Sequence, residues 1–133
     1  MFTDTHCHLD YNKFDPDRAE VIQHATDSGL IRILVPGLDH RSSAAAVRLA
    51  ESTVSVYAAV GFHPTDLDQF SESTLQKVKD LARHSKVVAI GEIGLDYYWV
   101  KESNKRAFQR EALKHQLQFA KEMEKPVVIH MRE

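Results

Sequence analysis

At 133 residues, 43% hydrophobic and 27% charged, the chain has the size and balance of one soluble globular domain. Its formal net charge of -2 excludes the basic field that drives non-specific nucleic-acid binding; a nucleic-acid ligand would need metal ions and local arginines to meet it. The single cysteine excludes an internal disulfide, and no apolar run approaches membrane-spanning length, so no membrane partner and a cytoplasmic, reducing setting are expected.

The chain opens on Phe2-Thr3, suited to a short extended run, followed by Asp4-Thr5-His6-Cys7-His8-Leu9-Asp10. Side chains alternate along a strand, so His6 and His8 are expected on one face and Cys7 on the other. Asp4 and His6 also interrupt any signal-like stretch at the start. Asp15-Pro16 has the form of a helix start, with the helix running to Ser28 and Gly29 as its stop. Leu30 to Gly37 is a β-branched apolar run ended by Pro-Gly and is expected as a buried strand. The alanine-rich segment from about Arg41 to Ser52 is expected as a helix.

Val54 to Phe62 forms the third expected strand, stopped by His63-Pro64. Ser71 or Ser73 caps a helix reaching about His84, and Lys86 to Gly94 is the fourth strand. The longest helix is expected from about Ser103 to Glu124, and Pro126 to His130 is a fifth strand. This strict alternation of apolar strands and helices predicts an α/β fold with a parallel sheet, in one α/β domain over residues 1–133 with no internal linker.

Chemistry-bearing residues recur at the C-terminal ends of those strands: His6 and His8, His63, Glu92, and His130. That is the end at which parallel α/β folds bind ligands. Two imidazoles on one face chelate a divalent metal if other groups complete the shell, and two histidines in a polar loop are the alternative. Glu92, at the end of an apolar strand between Gly91 and Gly94, needs a cation or hydrogen-bond donors, and its carboxylate can bridge two metals. The alternative is a helix-capping or salt-bridged glutamate. His130 can reach a second metal, and Arg132 can hold an anionic oxygen. His63 can bind metal or substrate or serve the Pro64 turn. Asp4 can orient a ligand or pair with a basic residue. Asp10 and Asp96 are loop acids near the same mouth, with Tyr97, Tyr98 and Trp99 able to stack on a base or to pack over the rim. His24, His40, His84 and His115 are expected as solvated surface residues. Cys7 lacks the electropositive setting of a reactive thiolate.

Taken together, Asp4 to Asp10, Gly61-Phe62-His63-Pro64, Gly91-Glu92-Ile93-Gly94-Leu95-Asp96-Tyr97 and Pro126 to Arg132 resemble the TatD family, metal-dependent deoxyribonucleases among the amidohydrolase-like TIM barrels. The resemblance implies DNA as the substrate and a centre of two divalent ions (Mg, Mn, Zn, Co or Ni). His6 and His8 would hold the first, Glu92 would bridge both as the catalytic carboxylate, and His130 would bind the second. His63, Asp96, Tyr97 and Arg132 would face substrate. The ions would acidify a water and neutralise the scissile phosphate. Rival expectations are another amidohydrolase-type or phosphoester hydrolase, and a non-catalytic metal-binding fragment.

A (β/α)8 barrel takes about 250 residues, whereas five strands and four helices are expected here. The chain is therefore expected to be the N-terminal half of a TatD-like barrel, a partial (β/α)8 barrel with strands one to five. The resemblance implies a further His after a sixth strand and an Asp after an eighth, neither of which falls within these residues. The fragment is expected to be weakly active at most, and to associate through open sheet edges.

Overall fold

The computed structural model describes residues 1–133. Five strands alternate with four helices: β1 Phe2–Asp4, α1 Arg18–Asp27, β2 Leu30–Pro36, α2 His40–Ser52, β3 Val56–Val60, α3 Glu72–Leu81, β4 Val87–Asp96, α4 Ser103–Glu122 and β5 Val127–Arg132. The strands form one parallel sheet in sequence order, β1-β2-β3-β4-β5. Every crossover thus steps to the adjacent strand in the same direction, which with right-handed connections brings the helices to one face. The result is half of a (β/α)8 barrel.

Local chemistry explains most boundaries. Asp39 and Ser42 form a capping box at α2, with Asp39 Oδ1 accepting from Ser42 N at 2.7 Å and Ser42 Oγ accepting from Asp39 N at 3.0 Å. Ser71, not Ser73, caps α3 in the same way with Thr74. Gly29 follows α1 at φ +97°, a conformation that favours glycine. The expected start of α1 at Asp15-Pro16 moves to Arg18, because a short 3-10 turn at Asn12–Phe14 precedes it. Asp15 is drawn instead to the Arg18 guanidinium at 2.6 Å.

The core lies between sheet and helices, with Val35, Val56, Val60, Phe62, Val78 and Ile90 among its fully buried side chains. The edges differ from this interior. On β5, Val127, Ile129 and Met131 are exposed, on the face opposite His130. On β4, Val88 is exposed as well. Cover is therefore missing near β5, at the open edge of the sheet.

Those side chains generate a test. The 133-residue chain is expected to run above its 15.1 kDa monomer mass in light scattering at raised concentration. Ile129→Glu with Met131→Glu should restore the monomer. A concentration-independent monomer of the unaltered chain would refute the expectation.

Candidate metal centre

The loop after β1 carries the first two histidines. β1 ends at Asp4, so His6 and His8 lie beyond it rather than on one strand. The alternation nevertheless persists: Cys7 N donates to Leu34 O at 3.1 Å, Cys7 packs against the core, and Leu9 is buried in it. His6 and His8 consequently face the opposite side together, with Nε2 atoms 3.2 Å apart. Asp4 Oδ1 accepts from His6 N at 3.0 Å, which fixes the turn. Arg18, from α1, clamps the far end of this loop by donating to Leu9 O and Tyr11 O at 2.6 and 2.8 Å. Tyr11 stacks on the His8 ring, with centroids 5.2 Å apart.

Glu92 sits at the centre. It is 7% exposed, and its two oxygens face different histidine pairs. Oε2 lies 3.1 Å from His6 Nε2 and 3.7 Å from His8 Nε2. Oε1 lies 3.1 Å from His130 Nδ1 and 3.8 Å from His63 Nε2. Two three-residue groups that could hold a metal ion result, His6-His8-Glu92 and His63-Glu92-His130, sharing one carboxylate.

The donor set fits a cation. Ligand atoms about 2.1 Å from a tetrahedral ion stand roughly 3.4 Å from one another, close to the 3.1, 3.2 and 3.7 Å found among His6, His8 and Glu92. Lone pairs of a carboxylate and neutral imidazoles repel at such distances unless a proton or metal lies between them. His8 Nδ1 and Asp10 Oδ1 are buried without a hydrogen-bond partner, 4.0 Å apart.

His130 is held from behind. Its Nε2 lies 2.9 Å from Asp96 Oδ2. A carboxylate only accepts, so Nε2 carries a proton, and in the neutral ring Nδ1 presents its lone pair toward Glu92. Asp96 is the last residue of β4 rather than a loop acid, and at 1% exposed it is turned to His130 and not to the open mouth. Its other oxygen accepts from Trp99 N at 2.8 Å. Burial alone would raise the Asp96 carboxyl, but the Trp99 amide, His130 and Arg132 hold it below its ordinary value. Gly94 lets β5 approach this closely: a Cβ there would stand 1.8 Å from His130 O.

His63 packs edge-on against His130, with centroids 4.2 Å apart, and its Nδ1 lies 2.7 Å from Thr65 Oγ1, which donates to Asp66. Tyr97 is directed to α4, with the Arg106 guanidinium 4.6 Å from its ring centroid and its hydroxyl accepting from Arg110 at 3.1 Å. Arg132 lies beside Tyr98 and Trp99. The thiol of Cys7 is pushed up by burial and by Asp4 and Asp10, as expected for a packing residue. Among the four surface histidines, His84 is paired with Glu51 at 3.1 Å.

Three buried polar side chains escaped the sequence reading. Ser43 of α2 bonds both Gly61 N and Gly61 O, at 3.2 and 3.3 Å. Gln116 of α4 does the same at Phe62, with Oε1 accepting from N at 2.7 Å and Nε2 donating to O at 3.1 Å. Gln109, two turns earlier, pairs with Asp96 N and O at 2.9 and 3.0 Å and donates to Pro64 O at 3.1 Å. Together they fasten the backbone on both sides of His63 and at Asp96. The available signal was the spacing of seven between two glutamines on the inner face of α4.

A family profile described as TatD related DNase matches residues 3–133. The chain belongs to the TatD family. It is 41% identical over all of its length to the uncharacterised metal-dependent hydrolase YabD of Bacillus subtilis strain 168, of which it covers 51%. It is 35% identical, over 94% of its length, to a protein of Shigella flexneri serotype 5b named 3′-5′ ssDNA/RNA exonuclease TatD, of which it covers 47%. The crystal structure of the TatD homologue YjjV from Escherichia coli K12 superposes with a TM-score of 0.89 at 36% identity, over 99% of this chain and 51% of that one. The chain thus spans about half the length of these TatD-family relatives.

The metal-free centre carries a pH signature. Burial would raise the Glu92 carboxyl, but the nearby His8 imidazole and the fields of His6, His63 and His130 overcome it and hold it at about 2, against an ordinary 4.5. A depressed carboxyl contributes stability that is present above 4.5 and lost as pH falls toward 2. His8 is raised, chiefly by the Glu92 carboxylate beside it, so its share is present below 6.5 and lost as pH climbs through the raised value. In metal-free urea unfolding, the acid loss of stability should be visibly shallower in Glu92→Gln. Identical acid profiles would show that Glu92 is not held this way.

Proposed function

We propose that this chain supplies half of the active centre of a two-metal hydrolase that cleaves nucleic-acid phosphodiester bonds, DNA foremost. The observation that carries the reading is the division of Glu92, one oxygen toward His6 and His8 and the other toward His130 and His63. The family description and the exonuclease name of one relative support the bond and the substrate.

In this reading His6 and His8 would hold one divalent ion and His130 a second, with the Glu92 carboxylate placed to serve both groups. Bound ions of this kind acidify a water and offset the charge of a phosphodiester. The residues of the chain do the rest. Asp96 keeps the proton of His130 on Nε2, so that Nδ1 is free to ligate. Thr65 holds the His63 ring at Nδ1, leaving Nε2 toward the centre as a substrate-contacting or ligating group. Arg132, on the same strand as His130, receives a phosphate oxygen. Mixed nitrogen and carboxylate donors admit Mg, Mn, Zn, Co or Ni. The groups expected after a sixth and an eighth strand would complete both coordination shells.

Calorimetric titration of the metal-stripped chain with Mn²⁺ or Zn²⁺ tests the reading. At least one ion should bind per chain. Glu92→Ala should abolish binding, and Asp96→Asn should weaken it roughly 10- to 100-fold, as loss of an orienting carboxylate does. No binding above background would overturn the proposal. In a parallel assay, metal-dependent cleavage of single-stranded DNA by the isolated chain should be weak and should exceed cleavage of simple amides. Robust cleavage would show that the expected remaining ligands are dispensable.

A further inference from the structure

The aromatic turn after β4 divides into two parts with different surroundings. Tyr97 is engaged by Arg106 and Arg110 of α4 and belongs to the framework. Tyr98 and Trp99 do not: they are 46% and 66% exposed, and they meet edge to face with centroids 4.8 Å apart at 89°. Large rings held in water at this density are uncommon away from a binding surface.

Two cations attend the pair. The Arg132 guanidinium lies 4.5 Å from the Tyr98 centroid and 5.9 Å from that of Trp99, and Lys101 Nζ lies 5.3 Å from Tyr98. Lys101 donates to Tyr97 O, and neither cation forms a salt bridge to a carboxylate. In a chain of net charge -2, this corner therefore presents positive charge over Tyr98 and beside the more exposed ring of Trp99.

The corner is also fixed to the metal centre. Asp96 Oδ1 accepts from Trp99 N at 2.8 Å while its Oδ2 lies 2.9 Å from His130 Nε2, and Arg132 follows His130 by two residues on β5. Asp96 and Arg132 are register partners across the β4-β5 ladder. Rings and guanidinium are thus held next to the side chains that would meet a scissile phosphate.

We infer that Tyr98, Trp99 and Arg132 form a subsite for one nucleotide of a single-stranded nucleic acid, the base stacking on the exposed indole of Trp99 beside Tyr98 and a phosphate resting on Arg132. The inference rests on the nucleic-acid reading of the adjoining centre and assigns residues to the base and phosphate of an unpaired strand, the kind of strand named for one relative. Bases within a duplex have their faces covered by their neighbours and cannot reach the rings, whereas every unpaired base offers a π-face to an aromatic platform with a cation beside it.

Trp99 is the only tryptophan of the chain, so its fluorescence reports this corner alone. The titration uses the full 133-residue chain in EDTA, with a hexamer of deoxythymidylate and, as the control, an abasic hexamer of the same charge. The thymidylate hexamer should quench Trp99 saturably and the abasic one should not. Tyr98→Ala should weaken binding roughly ten-fold and Tyr98→Phe should preserve it. Arg132→Ala should weaken binding and lower the slope of log affinity against log salt by about one. Equal quenching by the abasic hexamer, or by a blunt duplex, would overturn the subsite, as would no quenching at all. The chelator keeps this outcome separate from metal binding: metal uptake without quenching sinks the subsite alone, and quenching without metal uptake sinks only the hydrolase reading.

Discussion

A carboxylate buried within an apolar strand is the constraint on which the rest of the arrangement depends. Glu92 costs too much desolvation to be tolerated there without compensation, and four imidazoles drawn from three other segments provide it. The loop after β1 brings two, the end of β3 brings one, and β5 brings the last. Parallel strands in sequence order make this convergence geometrically cheap, because all C-terminal ends open on the same side. Charge balance among these five groups is an electrostatic requirement in its own right, whichever cation or proton satisfies it.

Convergence alone would leave the imidazoles loosely placed, and the fold supplies rigidity from beneath. Ser43, Gln109 and Gln116 reach from helices to strand-end peptides and satisfy donors and acceptors that the sheet has ceased to pair. Arg18 performs the equivalent task for the loop that carries His8, using backbone carbonyls rather than side chains. Gly94 allows the His130 backbone to press against β4, a contact that no side chain could share. Precision at the site is therefore built from paired polar contacts between helices and strand-end peptides within an otherwise apolar layer.

Much of this was legible in the sequence, for identifiable reasons. Apolar strands punctuated by Gly, Pro and capping residues declare themselves locally, and the gathering of His6, His8, His63, Glu92 and His130 toward one side of the sheet follows from that order, although Glu92 and His130 lie within longer strands and His6 and His8 beyond a shorter one. The same local signals misplaced the start of α1, since Asp15 finds a better partner in Arg18 than in a helix terminus. They also left Asp96 in a loop, because the length of β4 is set by its pairing with β5 and not by its own composition. Gln109 and Gln116 remained hidden because a glutamine on a helix is ordinarily solvated. Only the tertiary fold reveals that strand-end peptides await them. Tyr97 and Tyr98, adjacent and chemically alike, acquire different neighbours for the same reason.

Asp96 shows where such economy leads. One buried carboxylate restrains both His130 and the peptide of Trp99, each through a different oxygen. Two neighbours that share an anchor are not energetically independent. Whatever shifts the position or charge of that anchor at one oxygen changes what the other experiences, and thermodynamics requires the influence to run equally in both directions. The rim of this half-barrel and its interior are in that sense one linked system, with a single side chain as the linkage.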